Sequence, residues 1–189
     1  MVVLSRIYTR TGDSGETSLG DGRRVSKDHL RIETGGAVDE VNATIGLARL
    51  YISGLVDEML GRVQNELFDL GADLTVPQKP NEDPAKALRV TDEQVARLER
   101  EIDQMNVHLE PLKSFVLPGG TQGAAFLHLA RTVARRAERL MVALAREEKV
   151  SAPALKYVNR LSDFLFVAAR FVNDKGGRDR LWKPGATRR

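Results

Sequence analysis

Apolar residues recur along this chain at intervals of three and four. Val38, Val41, Ile45 and Ala48 form one stripe, and Val56, Leu60, Val63, Leu67 and Leu70 a second, the spacing that places side chains on one face of an α-helix. A third stripe, Val95, Leu98, Ile102 and Met105, follows Thr91 and Gln94, a pair spaced for a capping box. A fourth helix is expected from about Thr121 to Glu148, with Phe126, Leu129, Val133, Ala137, Leu140 and Leu144 on its stripe. A fifth, from about Ala154 to Val172, uses Leu155, Val158, Leu161, Leu165 and Ala168. The pattern predicts an all-α protein, a five-helix bundle.

The breaks between stripes have their own chemistry. Residues 75–90 carry Pro77, Pro80 and Pro84 among polar groups, so a flexible loop with little to bury is expected there. Leu117-Pro118-Gly119-Gly120 stops the chain before the fourth helix, with Thr121 as its expected N-cap. Before Glu33 the chain is glycine-rich and reads as irregular, apart from one short extended piece at Leu4 to Tyr8.

With 189 residues, 42% of them hydrophobic, the chain is expected to fold as a single domain spanning 1–189. It has no cysteine, which excludes a disulfide framework and zinc-thiolate sites and fits a cytoplasmic location. No signal-like start and no apolar run near the roughly 20 residues of a membrane span is present, so a soluble protein is expected. The net charge of +3 is uneven. Lys175, Arg178, Arg180, Lys183, Arg188 and Arg189 face only Asp174 and Asp179 in residues 173–189. The excess therefore lies in a basic C-terminal tail and the body is near neutral, which argues against nucleic acid as a partner.

Arg131, Arg135 and Arg139 stand at i, i+4 and i+8 on the fourth helix, with Arg136 about 100° round from Arg135 and Glu138 within reach of Arg135. This row reads either as a solvated face laced with salt bridges or as half-buried guanidiniums awaiting an anion, for which a polyphosphate is the best candidate. Asn159, Ser162 and Asp163 lie beside the apolar run Phe164-Leu165-Phe166-Val167; they must find partners, either inside the bundle or on a ligand facing the arginines. The leader Tyr8-Thr9-Arg10-Thr11-Gly12-Asp13-Ser14-Gly15-Glu16-Thr17-Ser18-Leu19-Gly20 is rich in hydroxyls and glycine. It reads as a plain loop or as a phosphate cradle, although it matches neither a P-loop nor a dinucleotide fingerprint. Lys27, after Arg23 and Arg24, can add a point charge to it. None of His29, His108 or His128 has a glutamate three residues before it, so a ferritin-like di-iron site is not indicated.

In order and spacing, Tyr8-Thr9-Arg10-Thr11-Gly12-Asp13, Lys27, Gly36-Ala37-Val38-Asp39-Glu40-Val41-Asn42-Ala43, Phe115-Val116-Leu117-Pro118-Gly119-Gly120, Arg135-Arg136-Ala137-Glu138-Arg139 and Asn159-Arg160-Leu161-Ser162-Asp163 resemble the PduO-type ATP:corrinoid adenosyltransferases. The resemblance covers nearly the whole chain. It implies a homotrimer with ATP at each subunit interface and residues 1–32 as the nucleotide-binding segment. It further implies that Thr9, Arg10, Thr11, Gly12, Thr17, Ser18 and Lys27 wrap the triphosphate. Arg135, Arg136, Ala137, Glu138, Arg139 and Asn159 would meet the nucleotide from the helices. Asp39 and Arg131 would form a salt bridge between subunits, and Phe115 would close the lower face of the corrin, with Phe115 and Arg135 as the catalytic pair. Where the family carries a lysine in the glycine loop this chain has Ser14, leaving that phosphate contact open. The implied reaction is attack of cob(I)alamin on C5′ of ATP, giving adenosylcobalamin and triphosphate. Mg²⁺ would arrive on the ATP phosphates, and a reductase and an adenosylcobalamin-dependent mutase would be partners. A nucleotide-binding sensor or cobalamin chaperone without catalysis, and a pure interaction bundle, are the competing readings.

Overall fold

The computed structural model describes residues 7–83 and 87–188; most of the extended piece expected at Leu4 to Tyr8 lies outside them. Among the described residues the elements are β1 (Glu16–Ser18), β2 (Arg24–Ser26), α1 (Leu30–Arg49), α2 (Leu55–Thr75), α3 (Asp92–Asn106), β3 (Val116–Leu117), α4 (Gln122–Glu147), α5 (Ala152–Val172) and β4 (Arg180–Leu181). Helix α4 packs between α1 and α5, α3 covers α5, and α2 covers α1 and touches α5. This is the all-α five-helix bundle that the stripes predict. Side-chain caps start four of the helices: His29 accepts from the Arg31 amide, Thr91 forms the full capping box, Thr121 accepts from the Ala124 amide, and Ser151 from the Ala154 amide, a Ser or Thr cap being worth about 1 kcal/mol.

The stripes of α1, α2 and α5 are buried, Leu155 only partly. The stripe of α4 is right at Val133, Ala137 and Leu144 and corrected elsewhere. Its buried line also holds Leu127, Ala130, Ala134 and Met141, whereas Leu129 is 49% exposed and Phe126 and Leu140 flank the core. Alanines fill this line because α1 and α5 press on α4 from both sides, and small side chains allow a close approach. Between α2, α3 and α5 the core holds a charged cluster: Arg97 pairs with Glu66, and the buried Tyr157 hydroxyl donates to Glu66 Oε2 at 2.9 Å. Burial, then the neighbouring Glu66, push the Tyr157 phenol well above its ordinary range. Such a cluster fixes helix register more than it adds stability.

Two small antiparallel ribbons decorate the bundle: β1 with β2, pairing Glu16 to Ser26, and β3 with β4, pairing Val116 to Leu181. The first replaces the irregular leader expected before Glu33, and the second brings the basic tail onto the segment before α4. The proline-bearing segment is a loop, but it does bury groups: Arg89 donates to Asp73 Oδ1 at 2.9 Å and pairs with Glu82 at 2.5 Å, and Val90 is buried. Among the described residues no helix is long and apolar enough to cross a membrane.

Candidate functional site

The leader folds as a hairpin docked on the end of α2. The Gly20 amide donates to Thr75 O at 3.0 Å, and a Cβ at Gly20 would come within 2.5 Å of Val76 Cγ2, so only glycine permits that approach. Ahead of β1 the chain loops tightly. Arg10 sits at a φ of 62°, its guanidinium 5.6 Å from the centre of the Tyr8 ring. The Thr9 and Thr11 hydroxyls lie 2.9 Å apart, and Arg24 holds the Thr11 carbonyl at 2.7 Å. The Lys27 ammonium reaches 3.2 Å from where a Gly12 Cβ would stand. Thr9, Arg10, Thr11, Gly12 and Lys27 are thus brought together, with Ser18 attached through a 3.4 Å bond from Arg24. Thr17, half-buried on β1, is close in sequence but has no side-chain partner among the described residues.

Along α4 the arginines differ from one another. Arg135 and Arg139 are exposed, with Arg139 Nη1 donating to Arg135 O at 3.1 Å. Arg136 forms an ion pair with Glu40 of α1. The expectation of half-buried guanidiniums along the row therefore fails at Arg135 and Arg139, which lie on the part of α4 that neither α1 nor α5 covers. Glu138 does not turn to Arg135; it accepts from Asn159 Nδ2 at 2.7 Å, joining α4 to α5. Ala137 is fully buried, so its side chain packs in the core and cannot meet a nucleotide. Ser162 is buried and donates to Asn159 O at 2.9 Å, while Asp163 lies exposed 3.6 Å from Arg160.

Arg131 is the exception on the row. It is half-buried, and its Nε is enclosed with no hydrogen-bond partner. Burial first and Arg135 second press its pKa below the usual guanidinium range. An enclosed donor without an acceptor costs about 1–3 kcal/mol, so this side chain is one acceptor short. Asp39 is exposed and has no ion pair among the described residues.

Arg131 also lines a cleft of about 630 Å³ at the N-terminal end of α4, with Leu112, Phe115, Val116, Phe166 and Trp182. The Phe115 ring is 76% exposed and leans on Trp182, centroids 5.9 Å apart. The sequence reading did not include Trp182 or Phe166 in a site. Trp182 offers the one available signal, a lone tryptophan inside an otherwise polar tail.

Beneath this cleft, His128 is buried and meets Phe166 edge-on at 6.2 Å. Burial, then Arg131, lower its pKa. The neutral imidazole is therefore the folded form, and its contribution is whole above the unfolded value of about 6.5 and is lost as pH falls through the lower folded value. Thermal melts from pH 7.5 to 5 should show a shallower decline for His128→Leu than for the native chain. Parallel declines would mean that another group carries the acid sensitivity.

Within one chain the loop and the arginine row do not meet. Among the described residues, the hydrogen bonds and ion pairs of residues 7–28 reach only one another, His29 and Thr75. The hairpin is held at the far end of α4 from the cleft, where Arg31 pairs with Glu148 at 2.8 Å.

The cobalamin adenosyltransferase family profile matches residues 7–172. A corrinoid adenosyltransferase of Bacillus subtilis is 45% identical over 178 residues, covering 91% of this chain and 89% of its own. One of Mycobacterium tuberculosis is 47% identical over 193 residues, covering 99% and 97%. Among solved structures, a variant PduO-type ATP:corrinoid adenosyltransferase from Lactobacillus reuteri, complexed with cobalamin and ATP, superposes with a TM-score of 0.86 at 37% identity, covering 95% of this chain and 97% of that one.

Proposed function

This chain belongs to the cobalamin adenosyltransferase family, and from that premise we propose how its residues carry out the family's reaction. The protein is an ATP:corrinoid adenosyltransferase. The cobalt of cob(I)alamin supplies the electron pair that becomes a Co–C5′ bond, the C5′–O bond of ATP breaks, and triphosphate leaves with the pair of that broken bond. Cobalt is a strong nucleophile already, so the protein positions the reactants and stabilises charge.

The observation that carries this reading is the placement of both requirements along one helix. Phe115 projects at an apolar cleft at the start of α4, and Arg135 and Arg139 stand exposed further along it. A corrin bound at the cleft would have Phe115 beneath it, while Arg135 would face the departing triphosphate. Arg139 and Asn159 would complete the nucleotide contacts, and Arg136 and Glu138 would act by way of Glu40 and Asn159. The hairpin loop, with Thr9, Arg10, Thr11, Gly12, Ser18 and Lys27, would wrap the phosphates. Mg²⁺ fits as an ion borne by ATP, since the loop offers hydroxyl oxygens, the hard donors that suit it. When bound it would neutralise part of the triphosphate charge.

A homotrimer completes the site. The loop of one chain does not reach its own arginines, and among the described residues Arg131 has no carboxylate partner and Asp39 no ion pair, so Asp39 would serve Arg131 of a neighbour. Leu47 on α1, Leu50 and Tyr51 just after it, and Leu129 on α4 are exposed apolar side chains available for burial in the assembly. A reductase would supply cob(I)alamin and an adenosylcobalamin-dependent mutase would take the product.

The test is incubation of the full chain with MgATP and chemically reduced cobalamin, following the adenosylcobalamin spectrum and released triphosphate. Equal amounts of both are expected. Binding of MgATP with no product would favour a chaperone or sensor, and no thermal shift with MgATP would favour an interaction bundle. Saturation at a hundred times the dissociation constant should stabilise by about 2.7 kcal/mol.

A further inference from the structure

We propose that Asp179, through Arg170 and Asn173, is a positioning residue for Phe115: it locks both ends of the segment that carries the ring. This rests on the reading of Phe115 as the group facing the corrin.

An exposed ring has little packing of its own, so its place is inherited from its backbone. That backbone runs from Glu110 to Thr121, between α3 and α4. Each end is tied to the C-terminal turn of α5. Arg170 Nη2 donates to Glu110 O at 3.0 Å, and the Thr121 amide donates to Asn173 Oδ1 at 3.0 Å. Asp179 joins the two ties. Its Oδ2 accepts from Arg170 Nε at 2.9 Å and its Oδ1 from Asn173 Nδ2 at 2.8 Å, and all three side chains are almost wholly buried. The residues directly after Asp179 then zip the middle of the same segment. β4 pairs with β3, the Trp182 amide donates to Phe115 O at 2.8 Å, and Ser114 Oγ donates to Trp182 O at 2.7 Å.

The local chain is shaped for this latch. Asp174, Lys175 and Gly176 take successive φ values of 58°, 49° and 85°, reversing the chain after α5 so that Asp179 returns to Arg170. At the other end Gly120 has a φ of 105°, and a Cβ there would stand 2.2 Å from Asn173 Oδ1. A carboxylate suits the centre because both of its oxygens accept. An amide of the same shape would turn an N–H₂ towards either Arg170 or Asn173. Asn173 cannot compensate by flipping, since its own oxygen serves Thr121.

The experiment compares the native full chain, Asp179→Asn and Phe115→Ala. Trp182 is the sole tryptophan, so its emission and acrylamide quenching report directly whether the ribbon is docked. For Asp179→Asn the expected result is red-shifted, more readily quenched emission. KM for cob(I)alamin should rise about tenfold, the scale of one lost hydrogen bond to a charged group, with KM for ATP unchanged. The four-coordinate cob(II)alamin signature with MgATP should shrink in the same direction as in Phe115→Ala. Gly120→Ala, which strikes the latch from the opposite end without altering charge, should reproduce the pattern should Asp179→Asn fail to fold. Native emission and native KM would overturn the proposal, as would equal losses in corrinoid and ATP affinity, which signify general destabilisation. If Phe115→Ala itself leaves the cob(II)alamin signature intact, the corrin-facing role of Phe115 falls, while the Trp182 readout still decides the latch.

Discussion

Replacing Arg135 with alanine is expected to lower kcat by about 10² to 10³ while leaving the helix and the assembly intact. The side chain is exposed, and among the described residues no hydrogen bond or ion pair uses its guanidinium, while Arg139 Nη1 bonds its backbone carbonyl. Arginine and alanine are both good helix formers, so circular dichroism and the melting temperature should barely move. The loss would come from the charge growing on the departing triphosphate, where one preorganised interaction is worth roughly 2.7 to 4 kcal/mol. Because that charge exists fully only as the C5′–O bond breaks, kcat and kcat/KM should fall together. Arg135→Lys should recover only part, since an ammonium lacks the planar fork that grips two phosphate oxygens. Full turnover by Arg135→Ala in a steady-state assay would remove this residue from the leaving-group role.

The second large effect concerns assembly. Asp39→Arg or Arg131→Asp alone should weaken the homotrimer proposed above, and the pair combined should restore part of it. Arg131 is half-buried with an enclosed, unpartnered Nε, and removing the partner of such a group costs about 3 to 5 kcal/mol. Sedimentation velocity on the two single variants and the double variant would give the coupling energy, and closely interacting side chains show roughly 0.5 to 3 kcal/mol. A cycle without coupling would deny this contact. Activity should follow assembly, because the loop and the arginines of one chain lie apart.

The helices were legible because their signals are local. Thr91 with Gln94 placed the start of α3, and Thr121 that of α4, at the observed caps. The α4 stripe was right at Val133, Ala137 and Leu144 but missed Ala130 and Ala134, which a search for large apolar residues passes over. The β1–β2 hairpin does leave a trace, Asp21-Gly22 between two short segments, with Gly22 at a φ of 88°; each strand has only three residues and Leu19 alone is buried nearby. The pairing of β3 with β4 joins residues more than sixty positions apart through two-residue strands, for which no sequence period exists. For the candidate site, the spacing of the arginines was readable, but the contacts around them were not. The pairing of Arg136 with Glu40 and of Glu138 with Asn159 is set by how α1 and α5 cross α4.

The length of α4 has a further consequence. Its 26 residues span about 39 Å, with the aromatic cleft before one end and the hairpin tethered beside the other. If the reaction is completed between neighbours, no polypeptide owns a whole catalytic unit. A chain damaged only in its loop and another damaged only at Arg135 are then genetic complements. In a closed ring holding both kinds, one of the three junctions joins an intact loop to an intact helix, so two inactive proteins mixed at random would regain about a quarter of the native rate.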